Sequence, residues 1–101
     1  MNDDRNEDHN ETHNRVPPRS AALVYAGVGA PRVVASGEGD IAQRIRAIAE
    51  AHGVPLQEDE RLATLLCEIP LGDEIPETLY VAVAEVLAYV YRLEMALSER
   101  A

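Results

Sequence analysis

The chain contains no phenylalanine, no tryptophan and no lysine, and it has a single cysteine, Cys67. Without the two largest apolar rings, a core must be assembled from Ala, Val, Leu and Ile, with four tyrosines as the only aromatic residues. One cysteine excludes an internal disulfide. No apolar stretch resembles a signal peptide either, and together these absences point to a reducing cytosol. Positive charge is also scarce: nine arginines stand against eighteen acids, for a formal charge of −9. Such a surface repels nucleic acid and anionic membranes, so the expected partners are proteins. The longest apolar run, Leu79 to Tyr91, is interrupted by Glu85 and falls short of the roughly 20 residues that a bilayer span requires. No membrane insertion is expected. At 101 residues the chain has room for one core, because single domains use about 50 to 200 residues.

Residues 1–15 carry five acids and two arginines and no apolar side chain except Met1. Residues 1–18 therefore read as a disordered acidic tail and linker, ending in Val16-Pro17-Pro18, where two amide donors are missing. The folded module is expected over 19–98. "SAALVYAG" (20–27) and "PRVVASG" (31–37) have the composition of two short buried strands joined by a turn at 27–30, which predicts a hairpin. From Asp40 the apolar period lengthens. Ile41, Ile45 and Ile48 recur at i, i+4 and i+7, with Ala42 and Ala49 beside them, which predicts an amphipathic helix with Asp40 as its N-cap and Gly53 as its stop. Val54-Pro55-Leu56 reads as a third strand. A strand, helix and strand in this order predict parallel pairing, and hence a mixed sheet. A short helix over 58–68 has Leu62, Leu65 and Leu66 on one face. The last helix starts at Pro76 and aligns Leu79, Val83, Val86, Val90 and Leu93, with Ala82, Leu87 and Tyr91 widening the stripe. The predicted class is α/β: a small mixed β-sheet with three or four helices packed around it, in the order ββαβαα.

No constellation for catalysis stands out. His9 and His13 in "HNETHN" have the i, i+4 spacing of zinc ligands, but no third ligand accompanies them and nothing apolar would hold a helix there. Asn10-Glu11-Thr12 fits a glycosylation acceptor only on a secretory route, which the chain does not signal. His52 sits where a cation complements a helix C-terminus. "GEGD" (37–40) lacks the Lys-Ser/Thr pair of a phosphate loop, and Asp40 would repel an anion at that terminus. Cys67, beside Leu65 and Leu66, reads as a small buried apolar group. No enzyme, no metal and no cofactor are expected.

Several stretches taken together are similar to the cytoplasmic domain of the export-apparatus switch protein of flagella and type III secretion systems, the FlhB/YscU family. The similarity runs from about Ala21 to Tyr91. It rests on "APRVVASGEGDIAQRIRAIAEAHGVPL", on "RLATLL", and above all on "GDEIPETLYVAVAEVLAYVY". That last order, G-x-x-I-P-x-x-L-Y-x-A-V-A-E-V-L-A-x-V, is long and contains residues that helix propensity alone would not select. Two departures stand beside it. The family cuts itself at N-P-T-H just before the first strand, whereas the corresponding positions here are Arg15-Val16-Pro17-Pro18, with no asparagine nucleophile. Asn10-Glu11-Thr12-His13 lies about five residues too early, with Glu in place of the proline. Ser36 replaces the family's lysine.

The resemblance implies an FlhB cytoplasmic-domain-like module, standing free of the membrane domain, that does not cut itself. It further implies docking of flagellar or type III export substrates and of export-gate proteins, in the cytoplasm or peripherally at the export gate on the inner membrane. The positions matching the family's apolar recess are Ala30 and Pro31 at the turn, and Ala84 and Leu87 on the last helix. A monomer is favoured. The alternatives are a regulatory or structural module of the same fold, dimerising through the wide face of helix 76–98 and binding an unrelated partner, and a self-processing protein.

Overall fold

The computed structural model describes residues 17–100; the expected acidic tail, His9, His13, the N-x-T acceptor and Asn10 to His13 all lie outside them. Strands β1 (Arg19–Val24) and β2 (Arg32–Glu38) form an antiparallel hairpin. Its register runs from Arg19↔Glu38 to Ala22↔Ala35, then shifts so that Leu23 faces Val33 and Val24 faces Arg32. The shift leaves Val34 as an extra residue on β2, half exposed while its neighbour Val33 is fully buried. A bulge of this kind sharpens the local twist and turns the hairpin tip away from the body of the sheet.

Helix α1 (Asp40–Ala51) crosses the hairpin and touches both strands. The Ser20 hydroxyl donates to the carbonyl of Ala42 at 3.0 Å, fixing the helix close to β1. That closeness decides which residues are buried. Ala42 is 1% exposed, whereas Ile41 and Ile48, expected in the core, are 56% and 57% exposed and flank the contact; Ile45 and Ala49 are half-buried. The helix begins one residue earlier than the sequence suggested: Gly39, at φ 63°, is the N-cap, and Asp40, expected as the cap, opens the first turn with no side-chain cap bond. At the other end, the Gly53 N–H reaches Glu50 O at 3.2 Å and the Val54 N–H reaches Ala49 O at 2.8 Å, with Gly53 at φ 71°. This is the Schellman stop that the glycine predicted.

The same stop explains why Val54-Pro55-Leu56 is not a strand. Val54 has spent its N–H on the helix, and Pro55 has none to give, so two of the three residues offer no donor to a ladder. Among the described residues the sheet has two strands and is antiparallel. The outer edge of β2 is closed by a different segment. Gly72 N–H donates to Val33 O (2.7 Å), Val33 N–H to Asp73 O (3.1 Å) and Ile75 N–H to Pro31 O (2.9 Å), around an antiparallel bridge between Arg32 and Glu74.

Helix α2 (Glu60–Leu66) is capped by Asp59, whose carboxylate accepts from the Leu62 N–H at 3.0 Å. It buries Leu62 and Leu66 but leaves Leu65 42% exposed. Pro76 stands just before a 3-10 turn, Glu77–Leu79, rather than inside the helix, and helix α3 (Tyr80–Arg100) follows. One cluster of Val33, Leu62, Leu66, Ile75 and Val83 forms the core, with Ala21, Leu23, Ala30, Ile69, Leu79, Ala82, Val86 and Leu87 packed against it. Burial along α3 fades from Val83, at 1% exposed, through half-buried Val90 and Leu93 to exposed residues from Glu94 to Glu99. Tyr91, expected to widen the buried face, is 63% exposed. The architecture is α/β: a small sheet with three helices around it.

Candidate functional site

Of the four positions expected to form a docking recess, Ala30 and Pro31 lie between the strands, at the end of the hairpin turn, and Ala84 and Leu87 lie on α3. Pro31 is buried, and its carbonyl is held by the Ile75 N–H. It can shape a floor but offers little surface. Ala30 and Leu87 are half-buried, and both pack against the central cluster. Their shared support is what relates the turn to the helix. Ala84 follows the buried Val83 and is exposed, so its methyl group takes no part in the core. A small residue there keeps the helix surface low beside Leu87.

A neighbouring concave surface was not foreseen from the sequence. A groove of about 210 Å³ at the hairpin tip is lined by Val24, Ala26, Val28, Ala30, Arg32 and Glu74. Only Ala30 is common to it and the expected recess. Arg32 forms one wall: its Nη1 donates to Gly72 O at 2.9 Å and its Nη2 to Glu74 Oε2 at 3.2 Å. The legible sign was "AGVGA" (26–30), where Val28 stands between two glycines. Gly27 (φ 90°) and Gly29 (φ 78°) hold it outside the packed structure, and Val28 is 80% exposed.

The other singled-out residues have structural places. His52 is the C-cap of α1, with Nδ1 2.9 Å from Ile48 O, a bond that requires the proton on Nδ1. Cys67 is half-buried, its thiol 3.5 Å from Ser20 O and 3.7 Å from Gly37 O, against the hairpin backbone. Of the positions aligned with the self-cleavage motif, Pro17 and Pro18 are described; both are exposed, and Pro18 O accepts from Gly39 N–H at 2.8 Å. Among the described residues no group of three His, Cys, Asp or Glu side chains could hold a metal ion. No helix among them is long and apolar enough to cross a membrane.

This arrangement has close counterparts. The model of the FlhB HrpN YscU SpaS family matches residues 18–90. The chain is 41% identical over 71 residues to the protein YlqH of Bacillus subtilis, covering 70% of this chain and 76% of that protein. It is 50% identical over 78 residues to the flagellar biosynthetic protein FlhB of Salmonella typhimurium, covering 74% of this chain but 20% of FlhB. It is 42% identical over 62 residues to the hypersensitivity response secretion protein HrcU of Ralstonia nicotianae, covering 61% of this chain and 17% of HrcU. The crystal structure of the PscU C-terminal domain superposes with a TM-score of 0.67 at 29% identity, over 72% of this chain and 96% of that one. The matched region spans the hairpin, α1, α2, the edge segment 72–75 and the packed half of α3. With every element of the core inside that match, the chain belongs to the FlhB HrpN YscU SpaS family.

Proposed function

We propose that the chain is a non-enzymatic docking module of flagellar (type III) protein export. In this reading it takes export substrates or gate proteins at the surface formed by Ala30, Ala84 and Leu87 above Pro31, and it does not cut itself. The supporting observation is that the family match stops at residue 90, three residues before Leu93, the last half-buried position of α3. The shared portion is therefore the packed unit together with the turn and helix that border the recess. In this reading exposed Ala84 and half-buried Leu87 and Ala30 would form a shallow apolar patch, suited to a few side chains of a peptide at about 25 cal/mol per Å² buried. Weak binding is what a transport step needs, since the cargo must be released.

The direct test is titration of labelled N-terminal segments of flagellar export substrates onto the chain and onto Ala84→Asp. A carboxylate in the patch should weaken binding by tenfold or more; equal binding by both proteins excludes the recess. Function in cells is tested by expressing the chain where the export gate lacks its soluble half, with restored export as the expected result. Self-processing, which Arg15-Val16-Pro17-Pro18 should not support, is tested by intact mass over several days.

A second reading has its own observation. Tyr91 and Met95, one turn apart on the outer half of α3, are 63% and 44% exposed, an apolar surface that a regulatory module could use to dimerise. Sedimentation of the purified chain decides this: a stable dimer that is lost on Met95→Glu favours it, and a monomer removes it.

A further inference from the structure

Helix α3 is apolar on two sides, and the core uses one of them. The inner seam runs through Val83, Val86, Val90 and Leu93, all buried or half-buried. A second seam, Val81, Ala84, Ala88, Tyr91 and Met95, keeps the same alternating spacing of three and four residues. At about 100° per residue its centre falls roughly opposite the first. All five of its side chains are exposed, Val81 at 74% and Tyr91 at 63%. This is the spacing by which one helix packs on another, and a helix already fastened along its other side has met the ordering cost that keeps short isolated helices from pairing.

The order of sizes and charges along the seam complements itself. We propose that two copies of this chain pair through it, antiparallel, about a two-fold axis between Tyr89 and Val90. In that alignment Ala88 meets Tyr91 of the second copy, and Ala84 meets Met95 of the second copy, so each bulky side chain lies over a small one, in both directions. The flanks agree with the seam. Glu85 follows Ala84 and Arg92 follows Tyr91 on the same flank, which sets Glu85 of each copy beside Arg92 of the other. Both residues are exposed, and among the described residues neither has an ion-pair partner in its own chain. A parallel pair would instead bring Glu94 against Glu99 of the second copy and leave Glu85 and Arg92 apart. An unrelated helix would have to reproduce both orders at once. The pairing rests on the dimer reading above and fixes its orientation and register. The seam is short and a net charge of −9 opposes association, so the dimer should be concentration-dependent. Since Ala84 lies in the seam and Leu87 on its flank, a paired chain cannot also offer them to a peptide.

The test is sedimentation of the full chain at rising concentration, unaltered, as Glu85→Arg, as Arg92→Glu, and as an equimolar mixture of these two variants. Both positions are exposed, so the variants should fold normally, as circular dichroism will check. The unaltered chain should dimerise. Each single variant sets like charges together twice and should dimerise at least about tenfold more weakly. The mixture should recover the dimer, because one variant is positive at both positions and the other negative at both. If the unaltered chain dimerises and Met95→Glu abolishes this, but the charge variants dimerise as well as the unaltered chain, the antiparallel register is overturned and the dimer reading stands. Weakening by both variants without recovery in the mixture also overturns the register. A chain that stays monomeric at every concentration overturns both.

Discussion

Gly37 shows how one missing side chain sets the height of a helix above a sheet. A Cβ at this position would overlap the Ile41 side chain, including its Cβ, which cannot swing aside. We predict that Gly37→Ala destabilises the fold by about 1–3 kcal/mol through this overpacking. Ile41→Ala removes the Cγ2 overlap but keeps the Cβ one, so adding it should recover part of the loss; a denaturant double-mutant cycle measures the coupling, and additive losses would refute the contact. Arg32 makes the complementary case. Its ion pair with Glu74 is half exposed on both sides and contributes little by itself, but its bond to Gly72 O ties down the edge segment. Arg32→Ala should therefore cost about 1 kcal/mol and Glu74→Gln clearly less, with faster amide exchange at Gly72 and Ile75 only in the former. Gly37 was read from sequence as the end of a strand; its partner Ile41 could not be, because the overlap involves a helix whose height was unknown.

Among the elements, α2 is short and survives by its cap and its two buried leucines. Seven residues are too few to hold a helix in water without tertiary contacts. Asp59→Ala should cost about 0.5–2 kcal/mol by orphaning the Leu62 N–H, and Leu66→Ala about 2–5 kcal/mol by opening the core. Thermal unfolding of both variants ranks them, and an Asp59→Ala loss as large as that of Leu66→Ala would mean the cap does more than hold one donor. The element boundaries show which signals travel in sequence. Gly53 foretold the end of α1 because a Schellman stop is local, involving six consecutive residues. The same local chemistry, once followed to the Val54 N–H, removes the third strand that composition suggested. Gly72 to Ile75, which does pair with β2, has no strand-like pattern: it holds two acids, and its pairing depends on a partner forty residues away.

At the scale of the molecule, the core is a single aliphatic cluster drawn from the hairpin, α2, the edge segment and the first half of α3, and it ends before α3 does. Removing the residues after Leu93, of which Glu94 to Glu99 are exposed, should change unfolding free energy by less than about 1 kcal/mol. A larger loss would reveal a role for the distal helix in holding the core. Sequence by itself determined the class, the hairpin, the helices and the family, because periodicity, turn residues and the long "GDEIPETLYVAVAEVLAYVY" order are properties of neighbouring residues. It also picked out Ala30, Pro31, Ala84 and Leu87 through resemblance. Only the tertiary structure decided that Ala42 rather than Ile41 or Ile48 meets the sheet, that Pro31 is buried while Ala84 is exposed, and that Arg32 and Glu74 face Val24 and Val28 across a groove. The physical reason is that burial and concavity are set by the distances between elements, and those distances follow from the packing of all the side chains at once.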